Sequence, residues 1–131
     1  MDEHPNVERL RRGYDAFSRG DMAALEDLFD EKVMWHVSGR SQVAGDYEGR
    51  DAVFGFFGRL MELTGGSMKL EVHDVFANDA HGVVLTMTSA SREGKSLNEN
   101  AVHVYHLRDG KVTEFWSATT DQYSGDEFFG A

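Results

Sequence analysis

The chain has 131 residues, 40% of them hydrophobic and 27% charged, which is typical of one globular domain spanning residues 1–131. A net charge of −10 argues against nucleic acid and anionic lipid as partners, because both attract Lys and Arg. The chain has no cysteine, which excludes disulfides and a thiol nucleophile. With no signal peptide and no apolar stretch of about 18–20 residues, the sequence predicts a cytoplasmic protein without a membrane segment.

Three helices are predicted in the first half of the chain. The first covers about 6–18, where apolar side chains recur every three or four residues, and it ends at Gly20. Asp21 is placed to cap a second helix over about 22–29. A third begins near Asp51 and stops at Gly65-Gly66. The segment 39–49 between the second and third helices contains Gly, Ser and Asp, and it is predicted to be a loop.

One strand is predicted at 33–38, before the third helix. Four more follow that helix, at 68–77, 82–92, 96–107 and 111–121, with no helix between them. Turn residues such as Asn78-Asp79 and Glu93-Gly94 separate the last four. Early helices followed by a long meander predict an α+β domain with antiparallel pairing. Both faces of the late strands carry apolar residues, whereas a sheet with one solvated face alternates more cleanly. The outer face of the sheet is therefore predicted to form a homodimer.

The order of these elements carries a family resemblance. The Gly20-Asp21 junction, the segment Gly49-Arg50-Asp51-Ala52-Val53 and the hairpin Asp109-Gly110-Lys111-Val112 stand at matching spacings. In these features the chain resembles the nuclear transport factor two-like superfamily, in its SnoaL-like and ketosteroid-isomerase-like branch. The resemblance implies a cone-shaped, strongly curved sheet wrapped around the three helices, with one pocket between them.

The resemblance and the alternation of side chains along the strands together place residues in this pocket. His103 and Asp121 are the candidate catalytic groups, because an imidazole and a desolvated carboxylate can both transfer protons near neutral pH. The candidate ligand-binding residues are Tyr14, Phe17, Trp35, Val37, Phe57, Thr86, Thr88, Glu99, Tyr105, Phe115 and Ser117.

The last hairpin decides which side chains of the final strand face inward. A three-residue loop over Arg108-Asp109-Gly110 pairs Leu107 with Lys111 and turns Phe115, Ser117, Thr119 and Asp121 inward, and this alternative is preferred here. A two-residue Asp109-Gly110 turn instead brings Trp116 in and turns Asp121 out, since a one-residue slip exchanges the two faces.

These features predict a protein that binds a small lipophilic molecule of polyketide, steroid or aromatic type and performs cofactor-free acid/base chemistry on it, as an isomerase, cyclase, dehydratase or hydrolase does. Val37 stands where a ketosteroid isomerase has its carboxylate base, so steroid isomerisation by that mechanism is not expected. The alternative is a binding protein of the same fold without chemistry. No metal or cofactor is predicted, because no ligand spacing or phosphate-binding loop can be recognised.

The C-terminal tail ends with two adjacent aromatic residues, Phe128 and Phe129. Leaving them in water would cost about 25 cal/mol for each Å² of apolar surface. The tail is therefore predicted to fold over the mouth of the cavity or onto a partner subunit.

Overall fold

The computed structural model describes residues 3–131. Over that range the chain forms four helices and a curved, unclosed, mainly antiparallel sheet of six strands. The helices are α1 (Pro5–Arg19), α2 (Met22–Leu28), α3 (Arg50–Thr64) and α4 (Gln122–Phe129). The strands are β1 (Phe29–Val37), β2 (Gly45–Glu48), β3 (Lys69–Ala77), β4 (His81–Arg92), β5 (Lys95–Arg108) and β6 (Lys111–Thr119).

The predicted helix boundaries at the start of the chain are confirmed. Pro5 occupies the first turn of α1, where a missing N–H costs nothing, and the helix ends at Gly20 with φ of 69°. The Asp21 side chain then accepts a hydrogen bond from the Ala24 N–H at 3.1 Å and so begins α2.

The strands follow the order β2-β1-β6-β5-β4-β3 across the sheet. Every neighbouring pair is antiparallel except β1 and β6, which run parallel. The first and last strands of the chain therefore pair inside the sheet, next to the edge strand β2, and α1 and α3 pack on its concave side. Within residues 3–131 no helix has the length and apolar character needed to cross a membrane.

The segment 39–49, predicted to be a loop, contains strand β2. Tyr47 pairs with Trp35 of β1, and its ring lies 4.6 Å from that of Phe56 on α3. Contacts remote in the chain stabilise this short strand, whereas the local Gly and Asp content favours a loop. The C-terminal tail, for which no helix was predicted, forms α4.

The β5–β6 hairpin does not have the preferred three-residue loop. Arg108 pairs with Lys111 across a two-residue turn, in which Asp109 and Gly110 have φ of 52° and 79°. A bulge then follows, because Leu107 pairs with Val112 whereas His106 pairs with Glu114. The extra residue, Thr113, restores the inward direction of Phe115.

Candidate functional site

A cavity of about 160 Å³ lies between the concave face of the sheet and the helices. Its wall is mostly apolar, and α1, α2, α3, β1, β5, β6 and α4 all contribute to it. Among the predicted site residues, the following line it: Tyr14, Phe17, Trp35, Val37, Phe57, Thr88, Glu99, His103, Tyr105, Phe115 and Ser117.

A hydrogen-bonded cluster of three side chains lies at the centre of this wall. The Tyr14 hydroxyl on α1 is 2.5 Å from Nδ1 of His103 and 2.6 Å from the Tyr105 hydroxyl. His103 and Tyr105 follow each other on the inner face of β5, and both are buried. Between residues 3 and 131, Nε2 of His103 has no hydrogen-bond partner, so it is available to a ligand.

Burial determines the charge state of this cluster. Desolvation lowers the pKa of His103 from 6.5 to about 4, so the imidazole is neutral at pH 7. Desolvation also raises the pKa of Tyr14 and of Tyr105 well above the ordinary value of 10, so both phenols keep their protons. The cluster is therefore an uncharged set of hydrogen-bonding groups in apolar surroundings.

Aromatic rings form the rest of the central wall. The Trp35 indole stacks on Phe115 with ring centroids 3.8 Å apart and meets Phe57 edge-on at 5.3 Å. Phe57 in turn contacts Phe17 at 5.1 Å. Such a wall favours a flat, apolar ligand, since rings pack well by stacking and edge-on contact.

A second polar region lies further along β5. Oε2 of Glu99 and Oγ1 of Thr119 are buried and lack a hydrogen-bond partner in the part of the chain that the structure describes. Desolvation, and then the charge of Asp121, raise the pKa of Glu99 from 4.5 to about 7. A buried polar atom without a partner costs free energy, so these two atoms are placed to bind a polar group of a ligand.

Two of the predicted site residues lie outside the cavity. Asp121 is exposed; β6 ends at Thr119, and the Asp121 carboxylate caps α4 by accepting a hydrogen bond from the Ser124 N–H at 3.2 Å. The Ser124 hydroxyl also donates to this carboxylate at 2.7 Å, and these two hydrogen bonds, that of the hydroxyl first, lower the pKa of Asp121, in contrast to the raised value expected for a desolvated acid. Thr86 is buried, but its hydroxyl donates to the carbonyl of Ala101 at 3.4 Å instead of facing the cavity.

Several lining residues were not among the predicted site residues. Leu25, Leu28 and Phe29, from α2 and the start of β1, fall within the second predicted helix, and their spacing puts them on one apolar face of it. Phe129 was anticipated in part, since the tail was expected to cover the cavity, and its side chain now lines the wall. Val43 gave no signal, because it lies in an irregular segment.

Polar and aromatic side chains also share the convex face of the sheet. The two ring nitrogens of His36 contact Asp46 at 2.6 Å and Glu114 at 2.7 Å, and these hydrogen bonds, that of Asp46 first, raise the pKa of His36. The same imidazole stacks on Trp116 at 5.2 Å. Trp116 therefore packs outside the cavity, as the bulge in β6 requires.

Residues 10–115 match the SnoaL-like domain family. The chain belongs to this family. The predicted resemblance is thus confirmed, and so is the curved α+β fold that it implied.

The relatives of this SnoaL-like protein extend over nearly its whole length. Bal32a, encoded by a soil-derived mobile gene cassette, is 40% identical with a TM-score of 0.92, covering 95% of this chain and 96% of its own. An uncharacterized protein of Mycobacterium tuberculosis is 28% identical over 130 residues, 98% of this chain and 99% of the relative. A candidate SnoaL-like polyketide cyclase from Jannaschia sp. CCS1 shares the fold, with a TM-score of 0.77 at 18% identity over 92% of this chain and 91% of its own.

Proposed function

We propose that this SnoaL-like protein binds a small lipophilic molecule in the cavity and performs cofactor-free acid/base chemistry on it. The observation that carries the proposal is the uncharged Tyr14–His103–Tyr105 cluster, whose free Nε2 atom faces otherwise apolar surroundings. Pockets with an apolar wall and a few convergent polar groups are the usual sites for small molecules. An oxygen atom of the ligand, on a carbonyl, enol or phenol, fits this cluster.

One arrangement of the protons in the cluster leaves a hydrogen-bond donor for a ligand carbonyl. When Tyr105 donates to Tyr14 and Tyr14 donates to Nδ1 of His103, the imidazole proton is on Nε2 and can be donated to the ligand oxygen. In a water-poor cavity such a fixed donor stabilises the negative charge that develops on an enolate oxygen. His103 then holds the ligand and stabilises the enolate, and the proton on carbon is moved by another group.

Glu99 is the group proposed to move that proton. Its pKa of about 7 lies close to the working pH, which is where a general base is most effective. Its buried, unpartnered Oε2 is free to take a proton from carbon. The bond between that carbon and hydrogen breaks, the electron pair passes through the conjugated system to the oxygen at the cluster, and Glu99, once its proton has exchanged with solvent, returns a proton to carbon. No cofactor or co-reactant takes part.

A second candidate function is binding without chemistry. The lowered pKa of His103 favours it, because an imidazole that stays neutral well below pH 7 acts as a hydrogen-bonding anchor. In this case Glu99, protonated below its pKa of about 7, donates a hydrogen bond to the ligand and carries no proton to carbon. The two functions share a site and differ only in turnover.

Deuterium exchange into 2-cyclohexen-1-one, a conjugated ketone with a single ring, separates the two functions. Proton NMR in D₂O measures the exchange, which the protein is expected to accelerate at C4 and C6. The exchange rate is expected to rise with pH through about 7, as Glu99 loses its proton. Glu99→Gln and His103→Ala are expected to return the rate to that of buffer. Binding of the ketone without any acceleration would overturn the catalytic proposal and leave the binding function.

Asp121→Asn is the matched control for this experiment. Asn is an equally good helix cap, so α4 stays intact. Because the charge of Asp121 contributes to the raised pKa of Glu99, its removal is expected to move the midpoint of the rate–pH curve to lower pH and leave the maximal rate unchanged. A loss of maximal rate in this variant would instead assign Asp121 a direct role.

The proposed state of the protein is a homodimer with the convex sheet face as its interface. The proposed location is the cytoplasm. The face offers Val102, Val104 and Trp116, all partly exposed in one subunit, next to the charged groups around His36. Aromatic and aliphatic groups surrounded by polar ones are typical of subunit interfaces.

A further inference from the structure

A second concavity adjoins the cavity on the outside of the protein. It is a groove of about 970 Å³ between the α1–α2 junction, α3 and the start of β3. Because β3 is the edge strand of the sheet, the groove continues around it to Met87 on β4. The groove and the cavity share the side chains of Phe17, Phe57, Met68 and Leu70. These four residues, called the partition below, line both spaces and so lie between them.

The cavity alone is small for a molecule of the proposed kind. An engineered apolar cavity of about 150 Å³ holds one benzene molecule, and ligand pockets generally measure about 300–1,000 Å³. The 160 Å³ cavity therefore has room for a single ring. A further substituent on that ring needs space beyond the cavity, and the groove offers that space on the other side of the partition.

The contacts between rings give the direction of that extension. Tyr105 of the polar cluster contacts Trp35 at 6.2 Å, Trp35 contacts Phe57 at 5.3 Å, and Phe57 contacts Phe17 at 5.1 Å. This sequence of contacts leads from the hydrogen-bonding groups to the partition. A ring whose oxygen lies at His103 thus has its far side directed along a wall that ends at the groove.

The groove itself suits a flexible apolar chain. Four methionines line it: Met22, Met61, Met68 and Met87. Met22 and Met87 are 37% and 44% exposed, and unbranched thioether side chains adapt their shape to different apolar partners. The charged residues on the rim, Arg19, Lys69 and Glu71, are of mixed sign, and Arg19 is already paired with Asp15 at 2.9 Å. The groove therefore favours a neutral chain over an ionic group.

We propose that the cavity and the groove are the two halves of one binding site. Its ligand has a phenol- or enol-type ring in the cavity and an unbranched alkyl or acyl chain in the groove, joined across the partition. Rotation of the Phe17 and Met68 side chains opens the connection. The inference rests on the proposed function for the position of the ring, and it adds the chain as the feature that determines affinity.

Binding of 4-ethylphenol, 4-butylphenol and 4-octylphenol, measured by isothermal titration calorimetry, tests the inference. Each added CH₂ that is buried in the groove is expected to tighten binding about threefold to fourfold, from about 0.8 kcal/mol per buried CH₂. The octyl compound is therefore expected to bind at least a hundredfold more tightly than the ethyl compound.

Gly58→Trp is the variant that separates the groove from the cavity. Gly58 lines the groove, and a Cβ built there meets no atom of residues 3–131 within 4 Å, so this position has room for the start of a side chain that obstructs the groove. The variant is expected to bind 4-ethylphenol like the original protein and to lose most of the gain for the octyl chain. Gly58→Leu, a smaller obstruction, is expected to lose part of it.

Gly55→Trp is the matched control. Gly55 belongs to the same helix and also has free space around its Cβ within the described chain, but it lies outside the groove. It is expected to keep the full gain in affinity from the alkyl chain.

Two results would overturn the two-part site alone. One is an equal gain in affinity in Gly58→Trp, and the other is no gain in the original protein while 4-ethylphenol binds. Failure of every phenol to bind the folded protein would overturn the proposed function together with it.

Discussion

His103, which is buried, and Glu99, which is half-buried, lie on one strand face, and desolvation shifts their pKa values in opposite directions. Because the pKa of His103 falls from 6.5 to about 4, the unfolded chain binds this proton first, and stability is lost as the pH falls from about 6.5 towards 4. Because the pKa of Glu99 rises from 4.5 to about 7, the unfolded chain releases that proton first, and stability is lost as the pH rises from about 4.5 through 7. In the intact protein the two slopes oppose each other.

Single substitutions are expected to separate the two contributions. Glu99→Gln leaves the imidazole alone, so its free energy of unfolding, measured with urea, falls more steeply than that of the original protein between pH 6.5 and 4.5. The full His103 contribution is about 3 kcal/mol, from a pKa shift between 6.5 and about 4. His103→Gln removes that dependence and leaves the loss towards alkaline pH. His73→Gln, on the exposed face of β3, serves as a control and is expected to follow the original protein. An unchanged slope in His103→Gln would contradict this explanation.

Sequence patterns predicted correctly which residues face the cavity within a strand, and they failed at the end of a strand. The alternation along β5 placed Glu99, His103 and Tyr105 on one face, and all three line the cavity. Asp121 was predicted to face the cavity from β6, because the predicted strand ended two residues later than the observed one. An aspartate three residues before Ser124 is equally typical of a helix cap, and only the packing of the tail decides between the two.

At the scale of elements, the bulge in β6 shows what local patterns leave undetermined. The Asp109-Gly110 sequence is typical of a two-residue turn, and the structure has that turn. Such a turn alone would have brought Trp116 into the cavity. The insertion of Thr113 into the ladder reverses the faces, so that Phe115 stacks on Trp35. This contact between two buried rings, remote in the chain, stabilises the observed register, and no pattern within the hairpin contains it.

Helix α4 was missed as an element, yet it influences the environment of Glu99. Gly125 is buried in this helix, and a Cβ built on it lies 3.6 Å from Oε2 of Glu99, which is ordinary contact. Gly125→Ala is therefore expected to stabilise the helix by about 0.5–1 kcal/mol and, by excluding water from the carboxyl group, to raise the pKa of Glu99 further. Carbon-13 NMR titration of the Glu99 carboxyl measures this directly.

Gly55→Ala in α3 is the reference for that substitution. It makes the same change at a helical glycine with open space around its Cβ among residues 3–131, so a similar gain in stability is expected without any change in the Glu99 titration. A titration midpoint that is equal in both variants would show that α4 does not desolvate the carboxyl group.

At the scale of the whole molecule, the concave face of the sheet is occupied by helices and the cavity, and the convex face is left for other contacts. Val104 lies at its centre, paired with Val83 on one side and Trp116 on the other. A second copy of the same face would bury these groups and bring two sets of His36, Asp46 and Glu114 near each other. Each subunit carries a net charge of −10, so the apolar gain has to exceed a general repulsion.

The proposed dimer therefore has a characteristic salt dependence. Sedimentation velocity at about 10 µM protein is expected to show a dimer in 500 mM NaCl and a larger monomer fraction in 20 mM NaCl, because salt screens the repulsion between the two acidic subunits. Val104→Glu places a charge in the centre of the apolar face and is expected to give monomers at both salt concentrations. Ala52→Glu, exposed on α3, adds the same charge away from the face and is expected to remain dimeric in high salt. An original protein that sediments as a monomer in 500 mM NaCl would overturn the dimer and require the convex face to be stable in water.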